Sequence, residues 1–93
     1  MVGSTGKVGQ GPTLDQAKAV LEEATGLSAQ AYGQGYWVKG KGYKAAVLRR
    51  DDGDIVVLFW QGDETPKPHI VLNRNDLLEF LRTRIQEASE LLH

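Results

Sequence analysis

The sequence predicts an α+β domain in the order α-β-β-β-(β)-α, an antiparallel sheet with flanking helices. Three observations predict it. Apolar residues recur at three- and four-residue spacing near the start of the chain and again near its end. Between them lie short runs rich in strand-forming residues. Glycine-rich or acidic turns separate those runs, at the spacing hairpins use.

The first eleven residues contain four glycines and no apolar periodicity. They read as a disordered lead over 1–11, with a single α+β domain over 12–93. The first helix starts at Thr13, after Pro12. Gln16 stands three residues on, completing a capping box with the threonine. Leu14, Ala17, Val20, Leu21 and Ala24 then form one apolar stripe. Gly26 supplies the left-handed residue that ends the helix.

Strands follow. Tyr36 to Lys39 is the first, broken by Gly40-Lys41-Gly42. Tyr43 to Arg50 is the second. Asp51-Asp52-Gly53 reads as a hairpin loop with glycine at the bulge position. Ile55 to Trp60 is the third strand, and its six residues are all apolar. Gln61 to His69 is a polar loop with two prolines, and Ile70 to Leu72 reads as a short edge strand. The last helix starts near Asn73, a favourable cap, with Asp76 in its first turn. Its apolar stripe is Leu78, Leu81, Ile85, Ala88 and Leu92, widened by Leu77 and Phe80.

The run from Ile55 to Trp60 does not alternate, so it asks for burial on both faces of the sheet. Ala45, Ala46, Val47 and Leu48 say the same. Either the helices split between the faces, or they lie side by side on one face; side by side is expected, as is usual on an antiparallel sheet. The second face then needs a second copy of the chain. The expected partner is therefore a homodimer, with Leu78, Leu81, Ile85 and Leu92 of the last helix as candidate interface residues.

Net charge is only −1, but the charge is blocked along the chain. Ala24 to Arg50 holds Lys39, Lys41, Lys44, Arg49 and Arg50 and no acid. Asp51 to Glu64 holds Asp51, Asp52, Asp54, Asp63 and Glu64 and no base. Strands of opposite sign can pair and cancel such blocks. The basic block also interleaves Tyr32, Tyr36, Trp37 and Tyr43. Rings that stack on bases and cations that neutralise phosphates are what single-stranded nucleic acid requires. Tyr36, Trp37, Lys39, Lys41, Lys44 and Arg49 are the candidate nucleic-acid-binding residues. The same residues also suit a core and a guarded strand edge.

Catalysis has little to stand on. There is no cysteine. A serine–histidine pairing would need Ser28 beside His69. Asp51, Asp52 and Asp54 resemble half of a calcium loop, without its twelve-residue ligand spacing or terminal glutamate. Glycines 33, 35, 40 and 42 do not cradle a phosphate, because no helix starts after them. No catalytic residue, metal or cofactor is expected. With no cysteine, no signal-like leader and no apolar run near the ~20 residues a bilayer needs, the expectation is a cytoplasmic protein with no membrane partner.

The order helix, three strands, helix resembles that of double-stranded-RNA-binding domains. Those carry a lysine-rich start to the last helix, where this chain has Asn73-Arg74-Asn75-Asp76, so the resemblance is one of order. Ile70-Val71-Leu72-Asn73, running into Leu77 to Ile85, resembles the end of the positive-cofactor-four type of single-stranded-DNA-binding proteins. Those place a strand, a polar cap and a dimerising helix after a basic sheet. That likeness covers the C-terminal third, and the well-capped first helix departs from it. The function expected from the residues is a small non-enzymatic interaction module acting as a homodimer. The alternative is a single-stranded nucleic-acid binder.

Overall fold

The computed structural model describes residues 12–91. The expected disordered lead over 1–11, and Leu92 and His93, lie outside the described residues. Helix α1 (Leu14–Thr25) begins as its sequence dictates. The Thr13 hydroxyl accepts from the Gln16 amide at 3.1 Å, and the Gln16 side chain accepts from the Thr13 amide at 3.0 Å. Such a cap stabilises a helix by about 1 kcal/mol. Gly26 ends it with φ 74°. The Glu22 carboxylate then reaches forward and accepts the Ala29 amide at 2.8 Å, which ties the exit of the helix to the sheet.

Five strands follow: β1 (Gln30–Tyr32), β2 (Gly35–Gly40), β3 (Tyr43–Arg49), β4 (Ile55–Trp60) and β5 (His69–Ile70). They form one antiparallel sheet in chain order. Helix α2 (Arg74–Leu91) closes the domain. The predicted order is found, with an added strand. β1 is three residues long and exposed throughout, so no burial pattern marks it. A turn at Gly33 and the pairing of Gln30 with Trp37 and Tyr32 with Gly35 hold it. The short edge strand lies at His69–Ile70 rather than 70–72. Among the described residues, no helix is long and apolar enough to cross a membrane.

The two helices pack against each other, α1 over β2 and β3 and α2 over β4. Between helices and sheet lies one core, containing Val20, Leu21, Leu77 and Leu81 from the helices and Val38, Ala45, Val47, Ile55 and Val57 from the strands. Strand side chains alternate between faces, and these strand residues all belong to one face by register. Both helices are therefore on the same side. Tyr43 joins this core, stacked on Phe59 with ring centroids 5.1 Å apart. Its ring lies over Gly40, where a β-carbon would collide with it.

At the start of α2, Asn73 accepts the Asp76 amide at 2.8 Å, and the Asp76 carboxylate accepts the Leu72 amide at 3.1 Å. Asp76 also meets His69 Nε2 at 3.3 Å, so the cap of α2 is joined to β5.

Two outcomes follow from this core. Leu81 has no exposed surface, and Leu81→Ala is expected to cost roughly 2–5 kcal/mol in urea denaturation. Burial raises the Tyr43 phenol above its ordinary value of 10.0. A raised pKa contributes stability that is complete below about 10 and is lost as pH rises through the folded-state value. Denaturation midpoints of the wild type should fall more steeply above pH ~10 than those of Tyr43→Phe, which lacks the titrating group.

Candidate interaction face

With both helices on one side, alternation decides what the other side of the sheet carries. In register across it run three rows. Tyr32, Gly35, Leu48, Val56 and Ile70 form the first, Gln30, Trp37, Ala46 and Leu58 the second, and Lys39, Lys44 and Trp60 the third. Neither helix covers these rows. The small Ala46 and Val56 are buried among their larger neighbours, and Trp37, Leu48, Leu58 and Trp60 are half-buried. Tyr32 is 59% exposed and Ile70 48% exposed, at opposite edges. Burial on this face comes from side chains shading one another. A shallow depression of about 500 Å³ opens there, lined in part by Tyr32, Leu48, Arg50 and Val56.

The face carries charge only at its ends. Lys39 and Lys44 stand directly opposite each other on β2 and β3, and Lys41 occupies the turn between them. Among the described residues none of the three forms an ion pair. Like charges directly opposed across a sheet are destabilising. At the far end of β3 lies the turn from Arg50 to Asp54. There Arg50 meets Asp52 at 3.6 Å, and Asp52 also accepts the Asp54 amide at 3.0 Å. Asp51 and Asp54 are exposed, with no ion pair among the described residues. The acidic block therefore does not cancel the basic one by strand pairing. β4, which pairs with β3, has no charged residue, and the acids sit in turns.

The structure divides the predicted site residues. Trp37, Lys39 and Lys44 share the open face, with Lys41 at its end. Tyr36 lies on the helix-facing side, where Lys18 Nζ stands 5.3 Å from its ring centroid. Arg49 falls in the row of Ile55, also on the helix-facing side. The candidate interface residues of the last helix are drawn into the chain's own core: Leu81 is fully buried, and Leu78 and Ile85 pack against the core. Leu92 lies outside the described residues. The face adds Tyr32, Leu48, Leu58, Trp60 and Ile70. The unbroken run from Ile55 to Trp60 was the sequence signal for three of its members.

Elsewhere, a groove of about 660 Å³ lies between the loop at 61–68 and α2. Its chemistry is largely spoken for. His69 stacks on Phe80 at 4.5 Å and meets the capping Asp76, while Arg84 pairs with Glu87 at 3.3 Å. Ser28 is not among the partners of His69. Asp52 serves its own turn.

Comparison with protein-family models, with curated proteins and with solved structures finds no match to the chain.

Proposed function

We propose that this chain is a non-enzymatic interaction module that works as a homodimer, joined through the open face of its sheet. The observation that carries the reading is the placement of both helices on one side. It leaves Trp37, Leu48, Leu58 and Trp60 facing outward over a centre of Ala46 and Val56. Contiguous apolar surface of this kind marks an interaction site.

The shape of the sheet supports a second copy as the occupant. At about 4.8 Å between strands and 3.3 Å per residue, strands of three, six, seven, six and two residues make a flat face of roughly 380 Å², or about 760 Å² for two chains, the scale of a small interface. The sheet edges offer less. β1 has three residues, and β5 has two and follows Pro68. Short edges and proline discourage edge-to-edge pairing. A face-to-face sandwich is the remaining way to cover apolar sheet. The cysteine-free composition fits a cytoplasmic setting.

A second reading has its own observation. Tyr32 and Trp37 are ring neighbours at 6.2 Å, on the same face as Lys39 and Lys44. That pairing of rings and cations suits single-stranded nucleic acid. The aliphatic centre favours the dimer, because Leu48, Val56 and Leu58 offer nothing to stack on a base.

Sedimentation at micromolar concentration should give twice the chain mass, and Leu58→Lys should give a folded monomer. A wild-type monomer over a wide concentration range defeats the dimer. On the second reading, Lys39, Lys41 and Lys44 are the cations at hand. Fluorescence anisotropy with a labelled oligonucleotide would then show log affinity falling against log salt with a slope of about −2. Trp37→Ala would cost about 1–3 kcal/mol without changing that slope. No binding at tens of micromolar removes it.

A further inference from the structure

The open face carries a direction as well as an apolar centre, and from it we infer how the two copies are set: head to tail, with the lysine end of each sheet over the acidic turn of the other. The inference rests on the homodimer proposed above. Lys39 and Lys44 oppose each other on the open face with Lys41 beside them, and none has an acidic partner among the described residues. This local excess of positive charge has no counterweight within its own sheet face. At the other end Arg50 is engaged by Asp52 and Arg49 lies on the helix-facing side, so Asp51 and Asp54 leave that end negative. Asp63 and Glu64 follow Trp60 at the lysine end, where Glu64 accepts the Gln61 amide at 3.3 Å; two carboxylates against three lysines leave that end positive.

Two symmetric settings lay one face on its copy with the strands of the two sheets aligned. A twofold axis along the strands stacks lysine on lysine and turn on turn. A twofold axis across the strands, in the plane of the interface, exchanges the ends. Val47 lies one residue past the middle of β3. Lys44 lies three positions before it, about 10 Å at the rise of a strand, and Asp51 lies in the turn two residues past the end of β3 at Arg49. An axis crossing near Val47 therefore brings Lys44 of one chain over Asp51 of the partner subunit, and the reverse at the other end. The rows of Leu48 and Ala46 then meet each other across the interface, and the row of Lys39, Lys44 and Trp60 meets the acidic turn of the copy. Complementary charge at the rim fixes register and suppresses the wrong orientation.

The sign of an electrostatic change distinguishes the two settings. Equilibrium sedimentation would be run on wild type, Lys39→Gln/Lys44→Gln and Asp51→Asn/Asp54→Asn, at low and high sodium chloride, with circular dichroism confirming that each folds. Head-to-tail setting predicts that both double variants weaken the dimer by about tenfold. It also predicts that salt weakens the wild-type dimer and has less effect on either variant. If neutralisation leaves the dimer as tight or tighter, or salt strengthens the wild type, the head-to-tail setting is overturned while the dimer stands. A wild-type monomer overturns the homodimer itself, and with it this inference. The second of these failures is thereby distinct from the first.

Discussion

Leu21, Leu77 and Leu81 leave no surface to solvent, and Val47 and Val57 complete the core they form. That packing is the constraint on which the rest of the molecule depends. Helices that bury leucines against each other must lie side by side. Helices that lie side by side on a narrow meander must share one of its faces. Arg82 of α2 reaches Glu23 of α1 at 3.9 Å on the outside of the pair, but this exposed ion pair follows from the packing and does not cause it. Once both helices are committed to one side, the other side of the sheet is left with whatever the strand alternation assigns to it.

What alternation assigns is unusual for a face that neither helix covers. A half-exposed strand normally reads apolar and polar in turn. β4 presents Val56, Leu58 and Trp60 on the open side and Ile55, Val57 and Phe59 on the other. β3 places Ala46 and Leu48 outward. Charged residues are confined to the ends, at Lys39, Lys44 and the turn after Arg49. The sheet is thus built as an inner layer on both sides, although among the described residues helices cover only one.

Local features were legible in the sequence where one short segment determines them. The capping box at Thr13 and Gln16, the glycine stop at Gly26 and the strand from Ile55 to Trp60 lie where the residues place them. The division of the basic segment between two faces was also legible, since Trp37 and Lys39 must point opposite to Tyr36 and Val38. What the sequence did not disclose was which face the helices would choose. That depends on contact between residues 14–25 and 74–91, and no local pattern encodes it. Leu78, Leu81 and Ile85 were apolar at helical spacing, which fits either a core or an interface. Only the docking of α1 decides that they turn inward. β1 escaped detection for another reason: Gln30-Ala31-Tyr32 has no apolar pattern, and its strand character comes from its pairing with β2.

The order of the strands also governs how the fold can be made. Every strand pairs with its neighbour in the chain, so the sheet forms by successive local hairpins with little loop-closure entropy. The docking of α1 on α2 spans the whole sheet and is the distant contact. During synthesis, the meander is complete at Ile70, before α2 has emerged. Val57 and Phe59 then wait on one side for their helix, while Leu58 and Trp60 remain uncovered on the other. The nascent chain is therefore a sheet bare on both faces over β4 until its last helix arrives, and that interval is when it is most open to aggregation or capture by a chaperone.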